Sequence, residues 1–154
     1  MPTRKTTKKR RRRSSVVVQS VVAGAPSTAL LRRFARAAAL KGSQIAIRIV
    51  GNAEARQLNS KFRRKSYSTN VLSFPYGGGS GDVVLCHPVI AREARRQGKS
   101  LRAHYAHLVV HGVLHLRGHD HQRRSAAVRM EKAEIRILRR LGFGDPYAAA
   151  EAVK

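Results

Sequence analysis

Residues 111–121, HGVLHLRGHDH, constrain this chain more than any other stretch. His111 and His115 are four apart, a spacing that puts both imidazoles on one face of a helix, one turn apart. Gly118 is a natural helix stop, because glycine enters the left-handed cap conformation at low cost. The chain can turn there and bring His121 back to the same point. Three neutral imidazoles with one vacant position are the ligand set of a catalytic zinc site rather than a closed structural one. Zinc peptidases of the H-E-x-x-H type carry a glutamate base directly after the first histidine. That position is Gly112 here, which argues against peptide hydrolysis while keeping the geometry of a metal helix.

His104, His107, His111 and His115 all lie near one helical stripe. The pair 111/115 is preferred because only it lies within reach of the turn that returns a third ligand. For His104 and His107 the plainer reading is a packed or hydrogen-bonded histidine on a partly buried face. His119 competes with His121 as third ligand. Its other readings are a place beside the ligand shell or facing a substrate.

Charge is the second constraint. Thirty-two Lys and Arg face eight Asp and Glu, for a formal net charge of +24. A polyanion is the natural partner of such a surface, and the planar guanidinium fork suits phosphate. No apolar run is long enough to span a membrane, no basic amphipathic helix with bulky aromatics points to its surface, and no secretory signal is visible. The lone cysteine, Cys86, cannot form an internal disulfide, which fits a reducing compartment. The expected location is a bacterial-type cytoplasm, with an organelle as the open alternative.

Residues 1–15 read as a disordered basic tail, since eight of the first thirteen residues are Lys or Arg. An RNA-binding arm, a targeting signal and a dispensable extension all fit it. Residues 16–150 read as one metallohydrolase domain. Strands are expected at 16–22, 45–50, 71–74 and 82–86, with a glycine-rich loop before the last. Helices are expected at 28–41 behind Ser27, from Asn52 through Phe62, from Pro88 to about 97, at 101–117 behind Ser100, and at 124–141 up to Gly142. The order βαβαββααα predicts an α+β fold: a small mixed β-sheet packed with helices, the metal-binding helix lying on the sheet, zincin-like in layout.

Four segments taken together, LNSKFRRKSYSTNVLSFPY (58–76), GDVVLC (81–86), AHLVVHGVLHLRGHDH (106–121) and RRLGFGDPY (139–147), resemble the YbeY family of bacterial zinc-dependent rRNA maturation endoribonucleases. The likeness covers roughly residues 16–147. It implies a single-strand-specific RNase acting in 16S rRNA 3′-end maturation and ribosome quality control. Its partners would be ribosomal RNA and the small ribosomal subunit, and it would carry one zinc ion per chain. The family's three ligands fall on His111, His115 and His121, and its motif arginine falls on Arg63.

Arg63 suits a phosphate clamp that neutralises charge on a pentacoordinate phosphorus, so Arg63 and His111 are the expected catalytic residues. Arg64 is a further phosphate-binding candidate, and Lys65 competes by charge alone; a solvated face is the plainer reading of both. Asp120 either orients a ligand imidazole or caps the helix that follows. Asp82 either orients a ligand or closes the turn before its strand. The chain departs from the family pattern at His119, where an aromatic residue is common. It departs again in its short glycine-rich 76–81 loop and in the sparse acidic residues after His121. With no obvious carboxylate base, the metal is expected to carry much of the activation. Whether the attacking group is water or the RNA 2′-hydroxyl stays open. The rival reading is a non-catalytic, zinc-stabilised, ribosome-associated RNA-binding factor.

Overall fold

The structure, a computed structural model, describes residues 13–63, 69–120 and 122–148. Four strands and five helices follow in the expected order: β1 (Ser15–Ser20), α1 (Thr28–Ala38), β2 (Gln44–Val50), α2 (Asn52–Arg63), β3 (Val71–Gly77), β4 (Ser80–Cys86), α3 (His87–Gln97), α4 (Leu101–Leu116) and α5 (Arg124–Arg140). The strands form one sheet in the order β1-β2-β4-β3. β1 and β4 both run parallel to β2, and β3 pairs antiparallel with β4. The α+β expectation, a mixed sheet with helices packed on it, holds.

Alternation sets which way the sheet faces. Ile45, Ile47 and Ile49 of β2, with Val83 and Leu85 of β4, enter the larger core beneath α1, α4 and α5. Val84 and Cys86 point to the opposite face and pack with Val50, Leu72, Val89 and Ala55 of α2. A sheet buried on both faces must carry apolar residues at successive positions, which explains the uninterrupted VVLC run.

Element ends differ from expectation by a few residues, for local reasons. β3 runs past Phe74 through Pro75 to Gly77, because β3 lies at the sheet edge, where the missing proline N–H costs no ladder bond. α1 stops at Ala38 as Ala39 turns extended, and Ser43 Oγ donates to the Leu40 carbonyl in the turn that follows. β1 ends at Ser20, beyond a register shift against β2. The disorder expected of the basic tail concerns residues that, except for 13–15, lie outside those described.

α4 is enclosed by α1, α3, α5 and the β3–β4 side of the sheet. Helices apolar on nearly every side occur in such interiors, and Tyr105, Ala106, Val109, Val110, Val113 and Leu114 are fully buried. Ser100 Oγ caps it by accepting from Ala103 N at 3.0 Å. Gly112 marks its closest approach to the sheet. A Cβ there would sit 2.8 Å from Val83 Cγ1, and the Gly112 carbonyl accepts from Ser73 Oγ at 3.0 Å. The slot where a peptidase would hold its glutamate is therefore filled by the sheet.

Candidate metal centre

Within the histidine stripe of α4, His107 and His111 face α5, where both meet Glu134. His111 and His115 bring their Nε2 atoms to 3.2 Å of each other, with ring centroids 4.7 Å apart. Two zinc–nitrogen bonds of about 2.0–2.1 Å at a tetrahedral angle span about 3.3 Å, so this pair already has the separation of two ligands on one ion. α4 then ends as expected at Gly118. The Gly118 N–H reaches the His115 carbonyl and the His119 N–H reaches the Leu114 carbonyl, both at 3.0 Å, and Gly118 takes φ +96°. This pair of hydrogen bonds around a left-handed residue reverses the chain directly after His115. His121 lies beyond that turn, outside the described residues.

The group that organises this stripe is one the sequence reading missed. Glu134 of α5 is fully buried and spends both carboxylate oxygens on α4 and the C-terminal segment. Its Oε2 accepts from His111 Nδ1 at 2.5 Å. Its Oε1 accepts from His107 Nε2 at 3.2 Å and from the Tyr147 hydroxyl in a short bond. Burial alone would raise the Glu134 pKa. The hydrogen bonds from His107, His111 and Tyr147 outweigh it and bring the carboxyl to about 2, so Glu134 is a carboxylate at neutral pH. A carboxylate on Nδ1 keeps the proton there and leaves the Nε2 lone pair of neutral His111 for a metal. The sequence offered Asp82 and Asp120 as carboxylates that could orient a ligand; among the described residues it is Glu134 that meets His111 Nδ1. The available signal was an acidic side chain inside the apolar stripe Met130, Ala133, Ile137, Leu138 of α5, where a charge survives only if paired.

One ligand atom each from His107, His111 and Glu134 lies within 4.8 Å of the others, a group that can hold a metal ion. His107, read from the sequence as a packed histidine, thus belongs to the cluster. Its Nδ1 is buried with no partner among the described residues. His104 conforms to the plainer reading: it is buried and its Nε2 meets Glu93 Oε1 at 2.8 Å.

The other candidates are placed as follows. Asp120 Oδ1 accepts from Gln122 N at 2.8 Å, closing its own turn, and α5 begins behind Arg123. Asp82 takes a short hydrogen bond from the Tyr76 hydroxyl on the neighbouring strand. His119 lines a hollow of about 220 Å³ with Arg117, Asp120 and Arg129. Burial first, then Arg117, Arg129 and Arg136, push its pKa down. Arg63 is the last residue of α2; its side chain, Arg64 and Lys65 lie outside the described residues.

The model of the family described as "Endoribonuclease YbeY" matches residues 9–142. The chain belongs to this family. An endoribonuclease YbeY from Aromatoleum aromaticum is 51% identical over 129 residues, covering 82% of this chain and 84% of that one. One from Nitrosospira multiformis is 49% identical over 148 residues, covering 83% and 78%. The solution structure of a Thermotoga maritima protein superimposes with a TM-score of 0.57 at 19% identity, over 85% of this chain and 97% of that one, a likeness of fold. The YbeY resemblance read from the four segments is thus borne out, and the described residues include a His-His-Glu group, His107, His111 and Glu134, that can hold a metal ion. No described helix is long and apolar enough to cross a membrane.

Proposed function

We propose that this YbeY-family chain is a zinc-dependent, single-strand-specific endoribonuclease that matures the 3′ end of 16S rRNA on or near the small ribosomal subunit, in a bacterial-type cytoplasm. His111, His115 and His121 hold the zinc, and Arg63 binds the phosphate that is cleaved, with Arg64 beside it. The observation that carries the reading is the Glu134–His111–His115 relay. One carboxylate oxygen fixes His111 Nδ1–H, and the opposite ring nitrogen faces His115 Nε2 at 3.2 Å. Glu134 then acts as the residue that orients a ligand. Its oxygens are committed to His111, His107 and Tyr147 at hydrogen-bond reach.

Zinc, when bound, supplies Lewis-acid polarisation at the phosphate. The protein supplies the rest. Tyr147 and His107 keep Glu134 ionised and still, and Glu134 keeps His111 in one tautomer. Close packing at Gly112 leaves no room for a peptidase base. The arginine-rich surface concentrates RNA around the site, and Arg63 neutralises charge that grows on phosphorus.

The test is metal analysis and cleavage of a single-stranded RNA on one preparation. Native protein is expected to bind about one zinc per chain and cut the RNA, whereas His115→Ala loses both. A zinc-replete native protein that binds RNA without cutting it would put the non-catalytic RNA-binding factor in first place. Loss of metal on His119→Ala but not on His121→Ala would exchange the third ligand.

A further inference from the structure

The exposed side of α5 carries charge of nearly one sign. Arg129, Lys132, Arg136, Arg139 and Arg140 recur at helical spacing, and the one exposed carboxylate on that helix is Glu131. Among the described residues none of these five cations takes part in an ion pair. Like charges three and four apart on a helix repel, so this arrangement disfavours the isolated helix and favours a polyanion against it.

Shape and continuity add to charge. One hollow, of about 220 Å³, is bounded by Arg117, His119 and Arg129 where the chain leaves the metal helix. A second, of about 350 Å³, lies further along α5 between Lys132, Arg136, Arg139 and Arg140. Arg117 is held in place, because its Nη1 donates to the Ala38 carbonyl at 2.8 Å. The remaining guanidinium donors stay on a fixed fork. At a rise of about 1.5 Å per residue, Arg129 and Arg140 are separated by about 16 Å along the helix, room for more than one backbone phosphate. Ile135 is the apolar part of the second hollow, which no aromatic ring lines; the first holds the His119 imidazole, whose face, like a guanidinium plane, stacks on any base without selecting one.

We propose that Arg117 and the exposed face of α5 form a track for the phosphate backbone of single-stranded RNA, running from the metal centre along the helix and gripping the strand without reading its sequence. The proposal rests on the reading of this chain as an RNA hydrolase, and it names the surface that holds the strand beyond the bond being cut. Nothing in this surface depends on the basic N-terminal residues.

The test uses full-length, zinc-loaded protein and a labelled 2′-O-methyl phosphorothioate RNA, a probe that resists cleavage. Binding is followed by fluorescence anisotropy across a salt series. Each single-strand phosphate contact contributes about 0.7 to the slope of log affinity against log salt. Arg129→Gln/Arg136→Gln should lower that slope by about 1.4 and weaken binding several-fold at low salt. Arg129→Lys/Arg136→Lys should retain most of the slope. Arg95→Gln/Arg96→Gln on α3, which removes the same charge elsewhere, should leave it unchanged. Circular dichroism checks the fold, and single Arg139→Gln, expected to cost about 0.7 in slope, gives an independent reading. A wild-type slope in the α5 variants, or an equal fall in the α3 control, overturns the track while the hydrolase reading stands. Native protein that fails to bind the probe overturns both.

Discussion

Glu134→Gln asks how much of the metal centre is built from outside the ligands. The change keeps the size of the side chain and removes its charge. In the native protein one oxygen accepts from His111 Nδ1 at 2.5 Å, and the other accepts from His107 and Tyr147. A glutamine can keep only one of these arrangements. If its carbonyl stays with Tyr147 and His107, its NH₂ faces His111 Nδ1, and two donors oppose each other. His111 relieves the clash by moving its proton to Nε2, the atom that faces His115. The lone pair needed for the metal is then lost unless the tautomer is forced back. Loss of such an orienting partner typically costs 10–100-fold in metal affinity, or about 1.4–2.7 kcal/mol. Competition with a chromophoric chelator would measure it, and nitrogen chemical shifts of the metal-free protein would report the His111 tautomer. Zinc affinity within about threefold of native, with His111 still protonated at Nδ1, would refute the relay. If instead His107 and Glu134 were themselves ligands, His107→Ala would lower affinity as severely as His115→Ala. The relay predicts a much smaller effect for His107→Ala, because that ring only steadies Glu134.

Four further outcomes follow from the same structure. Gly112→Ala places a methyl 2.8 Å from Val83 Cγ1 and should destabilise by about 1–3 kcal/mol in denaturant titration; an unchanged midpoint would mean that α4 lies further from the sheet. Arg63→Ala should keep fold and zinc and lose about 100-fold in RNA turnover, with activity within a few-fold of native rejecting the phosphate role. Deleting residues 1–13 should weaken RNA binding and flatten its salt dependence while leaving thermal stability nearly unchanged, and identical salt slopes would leave targeting or a neutral extension. His104 is pushed below its ordinary 6.5 by burial, against the opposing pull of Glu93. Its neutral form is therefore favoured in the fold, and the unfolded chain takes the proton first. Stability from this residue is full above about pH 6.5 and is lost as pH falls below it. His104→Gln should flatten the native protein's acid slope in that window, and an unaltered slope would assign it to other groups.

How much could be read from the residues alone depends on the range of the forces involved. Ser27 and Ser100 accept from the backbone N–H three residues on, and at the Gly118 turn the N–H groups of Gly118 and His119 close bonds to the His115 and Leu114 carbonyls. These are contacts between near neighbours, so caps, helix stops and the 111/115 pair were legible as spacing. The alternation in β2 was legible for the same reason, since side chains on a strand change face at every residue. The YbeY motifs, taken together, added the family and the expected third ligand. The element ends were less legible, because where Pro75 can sit in a strand depends on that strand being at the edge of the sheet.

Glu134 marks the limit of that kind of reading. Nothing local distinguishes it from the exposed Glu131 three residues earlier except the face of α5 it occupies. That face is defined only when α5 packs on α4 and Tyr147 closes over the carboxylate. The same packing moved His107 from a buried bystander into the cluster around Glu134, and it turned the remaining cations of α5 outward as one continuous surface. The sequence by itself determined which residues are able to bind a metal and a polyanion, because residue chemistry and helical period are local. Only the tertiary structure decided which carboxylate serves which histidine. That choice depends on the approach of two helices, and a buried charge persists only where such an approach supplies its partners.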